Sequence, residues 1–126
     1  MDPDLMADYA RGDTPEPDYK PSISFSIEGD GFKFSRKNCG LNAEKGTNYY
    51  EKLDDPFKEI VWDTWVKNRI LSFSVHIYSK EGERKDIAHF QNVKKGEKRS
   101  EEVDVVFGEK TYHFVVSLKF TVIEKE

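Results

Sequence analysis

The sequence predicts an all-β fold, an antiparallel β-sandwich of roughly seven to eight strands. Three observations predict it. The first is the stretch Ile70-Leu71-Ser72-Phe73-Ser74-Val75-His76-Ile77-Tyr78, in which Leu71, Phe73, Val75 and Ile77 alternate with Ser72, Ser74, His76 and Tyr78. Successive strand side chains point to opposite faces, so this period of two puts one face in a core and leaves the other outside. The second is the return of Gly- and charge-rich turn signals from Ile70 onward, at roughly the dozen-residue spacing of a sandwich or barrel. The third is an aromatic content of 13%, with nine Phe and six Tyr, beside no long helical periodicity. Large aromatic and β-branched side chains suit a pleated, half-buried surface.

Taken in order, the chain opens on an acidic arm, residues 1–21. It holds Pro3, Pro15, Pro17 and Pro21 and few large aliphatic side chains, and it reads as a flexible segment ahead of a domain spanning 22–126. Ser22 to Glu28 alternates Ile23, Phe25 and Ile27 with serines and is the first expected strand. Gly29-Asp30-Gly31 turns the chain, and Phe32 to Phe34 returns as a short partner strand. Ser35 to Gly46, rich in Asn, Gly, Lys and Ser, reads as a loop. Tyr49, Tyr50 and Leu53 fit either a short strand or one helical turn, and Asp54-Asp55-Pro56 ends that segment, because the residue before proline avoids the helical region.

Within Phe57 to Val66, Ile60, Trp62 and Thr64 share one strand face, whereas Phe57, Val61 and Trp65 would line a helix. The β-branched and aromatic content favours the strand. Lys67-Asn68-Arg69 reads as a three-residue link into the central strand, and Ser79 to Lys85 as the turn after it. Ile87 to Val93 is a shorter, more polar strand, followed by a turn at Lys94 to Arg99. Val103, Val105 and Phe107 mark a half-buried strand, and Gly108-Glu109-Lys110 a turn. The last strand, Thr111 to Glu124, carries Tyr112, Phe114, Val116, Leu118, Phe120 and Val122 on one face.

Charge narrows the function classes. The formal net charge is -4. Asp2, Asp4, Asp8, Asp13, Glu16 and Asp18 against Arg11 and Lys20 place all of that excess in residues 1–20. The rest of the chain is neutral, which argues against nucleic acid as a partner, since such binding needs surplus cations to displace counterions. The single cysteine, Cys39, has no internal disulfide partner, and the N-terminus shows no apolar signal-peptide core. No run approaches the roughly 20 apolar residues of a membrane span. The expected location is cytosolic or nuclear, with the cytoplasm preferred and membrane or cytoskeletal association left open.

Asp55-Pro56-Phe57 precedes the Trp-bearing strand Ile60 to Val66. A short link, the alternating Leu71-x-Phe73-x-Val75, a long charged loop, a weaker strand and the closing Phe114-Val115-Val116-Ser117-Leu118-Lys119-Phe120 follow. This order of features over about residues 22–124 resembles a C2 domain. Calcium-binding C2 domains carry several aspartates in their top loops, including an Asp-x-Asp pair after the strand taken here as central. Calcium wants six to eight oxygen ligands. The matching loop, Ser79 to Asp86, lacks Asp-x-Asp and dilutes its carboxylates with Lys80, Arg84 and Lys85, although Asp30, Asp54 and Asp55 could add oxygens from elsewhere. The resemblance therefore implies a calcium-independent domain that docks onto a protein or a membrane.

Catalytic motifs are missing from the sequence. No Gly-rich phosphate loop, nucleophile elbow or zinc-ligand series is present. His76, His89 and His113 have no paired-ligand spacing, and Cys39 has no histidine near it in sequence. No enzyme activity, cofactor or metal is expected. The densest cation cluster is Lys80, Arg84, Lys85, Lys94, Lys95, Lys98 and Arg99, in two turns flanking one strand and interleaved with acids. The leading expectation is a non-catalytic C2-like interaction module, a scaffold or adaptor with a protein partner. The alternative is a calcium-independent peripheral domain whose cluster meets anionic phospholipid.

Overall fold

A computed structural model describes residues 18–125. The expected arm lies outside them except for residues 18–21. The described chain forms eight strands: β1 (Tyr19–Gly29), β2 (Phe32–Gly40), β3 (Lys45–Lys52), β4 (Phe57–Lys67), β5 (Ile70–Ser79), β6 (Arg84–Lys94), β7 (Lys98–Phe107) and β8 (Lys110–Glu124). They make two four-stranded antiparallel sheets, ordered β2-β1-β8-β7 and β3-β4-β5-β6. This is the expected sandwich. Each strand lies beside its sequence neighbour except where the chain changes sheet, between β2 and β3 and between β6 and β7. The first and last strands pair with each other along almost all of β1. No helix among the described residues is long and apolar enough to cross a membrane.

The alternating strands bury the faces that the sequence assigns to the core. Ile23, Phe25 and Ile27 of β1 and Tyr112 through Val122 of β8 meet Ile60, Trp62 and Val66 of β4 and Leu71, Phe73, Val75 and Ile77 of β5. Phe25 joins the sheets, with ring centroids 5.1 Å from both Trp62 and Phe73. Phe57 fills one end against Phe107 and Tyr112. Tilted and edge-on contacts at these separations are worth about 0.5–1.5 kcal/mol per pair beyond burial alone.

Several boundaries differ from the sequence reading. Ser35 to Gly46 is largely strand: β2 runs to Gly40 and β3 begins at Lys45. The physical reason is that β2 and β3 are sheet edges. An edge strand has one hydrogen-bonded neighbour and little core behind it, so its sequence stays polar. Only Phe34 of β2 is buried, and β3 has no buried residue. Tyr49 and Tyr50 belong to strand β3, and β4 is strand throughout, which removes both helical alternatives. The link into β5 is shorter than expected. Lys67 pairs with Ile70, leaving Asn68 and Arg69 as a two-residue turn at φ of 51° and 63°. Two successive positive φ values are the geometry of the tight hairpin turn that matches strand twist. β1 likewise starts at Tyr19, earlier than Ser22, and β6 and β7 extend into the expected turns.

The open sides of the sandwich are closed by polar contacts. Arg36 of β2 grips Glu51 of β3, with Nε 2.6 Å from Oε2. On the other side the Arg99 guanidinium donates to the Asn92 carbonyl at 3.1 Å. The β4–β5 turn is fastened to the ends of β1 and β8. Arg69 donates to Glu124 and to Asp18, the closest bonds being 2.8 and 2.9 Å, and it lies 4.5 Å over the Tyr19 ring. Arg69 and Lys95 together pull the Glu124 carboxyl down to about 2.

Candidate anion-binding site

The outer face of the β2-β1-β8-β7 sheet is set by the residues that alternate with the core. Strand register then assembles them into rows. Ser26 pairs with Ser35 on one side and with Ser117 on the other, and Ser117 pairs with Ser100. Directly paired residues of an antiparallel sheet project from the same face. Four serines therefore cross all four strands in one row, Ser35-Ser26-Ser117-Ser100, over roughly 14 Å at about 4.8 Å per strand. In the neighbouring row Ser24 pairs with Lys119, and Lys119 with Lys98.

A β-bulge completes the second row. Phe25 pairs with Arg36 and Ile23 with Cys39, so Lys37 and Asn38 both oppose Ser24. Asn38 takes a φ of 53° and donates its N–H to Ser24 Oγ at 3.0 Å. Bulges of this kind re-aim a side chain, and here Lys37 reaches the same concavity as Lys98 and Lys119. Short serines between long lysines leave a trough of about 380 Å3. Among the described residues, its wall contains hydroxyls, cations and backbone but no carboxylate.

Most of the trough's polar side chains are open to a ligand, Ser24 and Arg99 being the engaged ones. Among the described residues, no ion pair engages Lys37, Lys98 or Lys119. The hydroxyls of Ser26, Ser35, Ser100 and Ser117 likewise have no hydrogen-bond partner among the described residues. The next row on this face, Lys33-Glu28-Val115-Glu102, carries two carboxylates against one cation. Val115 stands between Glu28 and Glu102, and beyond it His113 bonds Asp104 at 2.6 Å and Glu102 at 3.0 Å. Those two bonds raise the His113 pKa, Asp104 contributing most.

The cations singled out from sequence fall into two separate groups. Lys80, Arg84 and Lys85 lie where β5 turns into β6, and Lys94, Lys95, Lys98 and Arg99 lie where β6 passes to β7. The 11 residues of β6 put these ends roughly 33 Å apart. Most of the cations are engaged by carboxylates: Lys80 by Asp55, Arg84 by Asp86 at 3.3 Å, Lys85 by Glu83 at 3.2 Å, Lys95 by Glu124 at 3.2 Å and Arg99 by Glu97 at 2.7 Å. The Lys94 backbone N–H donates to Glu97. Lys98 and Arg99 both line the trough; Lys98 shares its row with Lys119, whereas Arg99 is held by Glu97. Lys37, Lys119 and the serine row were missed by sequence reasoning. The alternating serines of Ser22 to Ser26 were visible there, but the register that sets Ser26 against Ser117 was not.

The histidines and the thiol stand apart. His76 and His89 are on the opposite sheet from His113, and His89 contacts Gln91 at 2.8 Å. Cys39 lies in β2, where a loop was expected, and packs against the core. Asp30 accepts the His113 backbone N–H at 2.5 Å and Asp55 pairs with Lys80. Among the described residues, no group of three or more His, Cys, Asp and Glu side chains is arranged to hold a metal ion. No family model, no curated protein and no solved structure matches the chain.

Proposed function

We propose that this domain is a non-catalytic interaction module that takes an acidic segment of a protein partner into the serine-floored trough. The observation that carries the reading is the joining of Lys37, Lys98 and Lys119 beside a four-serine row, with no carboxylate in the wall. Three cations with no ion-pair partner among the described residues make a local positive field, and hydroxyls supply short, sequence-tolerant hydrogen bonds to carboxylates or backbone. The resemblance to C2 domains points the same way, toward calcium-independent docking in the cytoplasm.

His113 is held on both ring nitrogens by carboxylates, and the described contacts put no hydroxyl or thiol on a histidine nitrogen. A nucleophile needs such a base within hydrogen-bond reach.

Fluorescence anisotropy with a short glutamate-rich peptide tests the proposal. Saturable binding should weaken as salt screens the lysines. It should also fall about tenfold, or roughly 1.4 kcal/mol, in Lys119→Ala. A peptide that fails to bind, or binds Lys119→Ala equally well, would overturn it.

A further inference from the structure

We infer that the trough recognises a phosphoryl group, presented on a serine or threonine of the partner segment. This rests on the trough's being the contact surface, and it goes further by naming what the trough selects. Lys98 and Lys119 are a direct cross-strand pair. Cβ atoms of such a pair stand roughly 4.5–5.5 Å apart, and like charges placed so repel. Lys37 adds a third cation across Ser24, and among the described residues no carboxylate in the trough wall offsets any of them.

A single carboxylate brings one negative charge to this cluster. A phosphoryl group brings about -1.5 to -2 charges at neutral pH and three strong acceptor oxygens. The donor set matches it. Lysine ammonium groups are compact point charges suited to phosphate, and the hydroxyls of Ser26 and Ser117 sit in the adjoining row with no partner among the described residues. Carboxylates, which would repel phosphate oxygens, are missing from the wall among the described residues.

The same face argues for a protein segment over a lipid headgroup. The row beside the serines runs Lys33-Glu28-Val115-Glu102, two carboxylates against one cation. A flat anionic membrane laid on the sheet would have to meet those carboxylates. A narrow segment lying along the trough does not.

The test compares three versions of one short acidic peptide, carrying phosphoserine, serine or glutamate at its centre, alongside vesicles containing phosphatidylinositol phosphates. The phosphoserine peptide should bind at least tenfold tighter than the glutamate peptide. Lys119→Ala and Lys98→Ala should each lower its affinity about tenfold. Ser26→Ala with Ser117→Ala should weaken the phosphoserine peptide several-fold more than it weakens the glutamate peptide. Equal affinity for phosphoserine and glutamate peptides would overturn phosphoryl selection while leaving the acidic-segment reading standing. Binding to the vesicles with none to any peptide would overturn both, as would failure of every probe to bind.

Discussion

The two sheets share one core and turn different chemistry outward. On the β2-β1-β8-β7 face, the centre is a row of serines bordered by Lys37, Lys98 and Lys119. On the β3-β4-β5-β6 face, register aligns Tyr50 with Val61 and His76, and Asn48 with Asp63 and Ser74. Trp65 lies on that face, half-exposed above Gly46 of the edge strand, where a β-carbon on Gly46 would come within 2.7 Å of its ring. An aromatic covering an edge glycine is a structural device that pins register. The exposed tryptophan therefore has a local explanation, while the exposed lysines and idle hydroxyls of the other face have none among the described residues. Folding dictates only the inward half of each strand, and the outward half is free to carry a site.

The largest expected effect erases the distinction between the faces. Phe73 is fully buried between the sheets, in contact with Phe25 and Phe90. Phe73→Ala should destabilise the domain by about 3–5 kcal/mol in urea unfolding, because the lost contacts leave a cavity. A loss well under 1 kcal/mol would mean that the two sheets do not share a packed interior. A more selective contrast comes from Trp65→Ala against Lys119→Ala. The first should leave acidic-peptide affinity unchanged and the second should lower it about tenfold; equal losses would dissolve the assignment of binding to one face.

The same lysine should separate binding from stability. Lys119→Gln removes one member of the repelling Lys98–Lys119 pair, so the folded state should gain on the order of 0.5 kcal/mol while binding weakens. A variant that loses both would show that Lys119 has a structural partner.

The smallest effect is a pH dependence of opposite sign on the two faces. His113 has a raised pKa because Asp104, then Glu102, bond its ring. Its contribution is full below the unfolded value of about 6.5 and is lost as pH rises through the raised folded value. His76, only 6% exposed on the other face, has a lowered pKa, chiefly from burial and then from the Arg84 charge. It therefore weakens the fold as pH falls through about 6.5. Comparing His113→Asn and His76→Asn by urea unfolding on both sides of that pH should move the stability profile in opposite directions. Shifts of the same sign would contradict the two environments.

How much of this was legible follows from where each residue sits. Central strands announce themselves, because both neighbours and the opposing sheet force large apolar side chains onto one face. Ile23, Phe25 and Ile27, Leu71 through Ile77, and Tyr112 through Val122 all lie where their alternation put them. The edges do not announce themselves. β3 reads Lys-Gly-Thr-Asn-Tyr-Tyr-Glu-Lys with no buried residue, and β2 contains a bulge at Lys37 and Asn38. Their polar runs look like loops because only one side of each is paired. The candidate site was half legible. Lys98 was visible inside a basic run, and the serines of β1 were visible as an outward face. Lys119 joins them through a β1–β8 pairing between the two ends of the described chain, which local pattern does not encode.

The most direct test is an amide NMR titration of the intact chain with the phosphoserine peptide. The account predicts saturable shifts concentrated at residues 24–26, 98–100 and 117–119, with Trp65, Tyr50 and His76 quiet. Shifts concentrated on the Trp65 face, or none in either sheet, would contradict it.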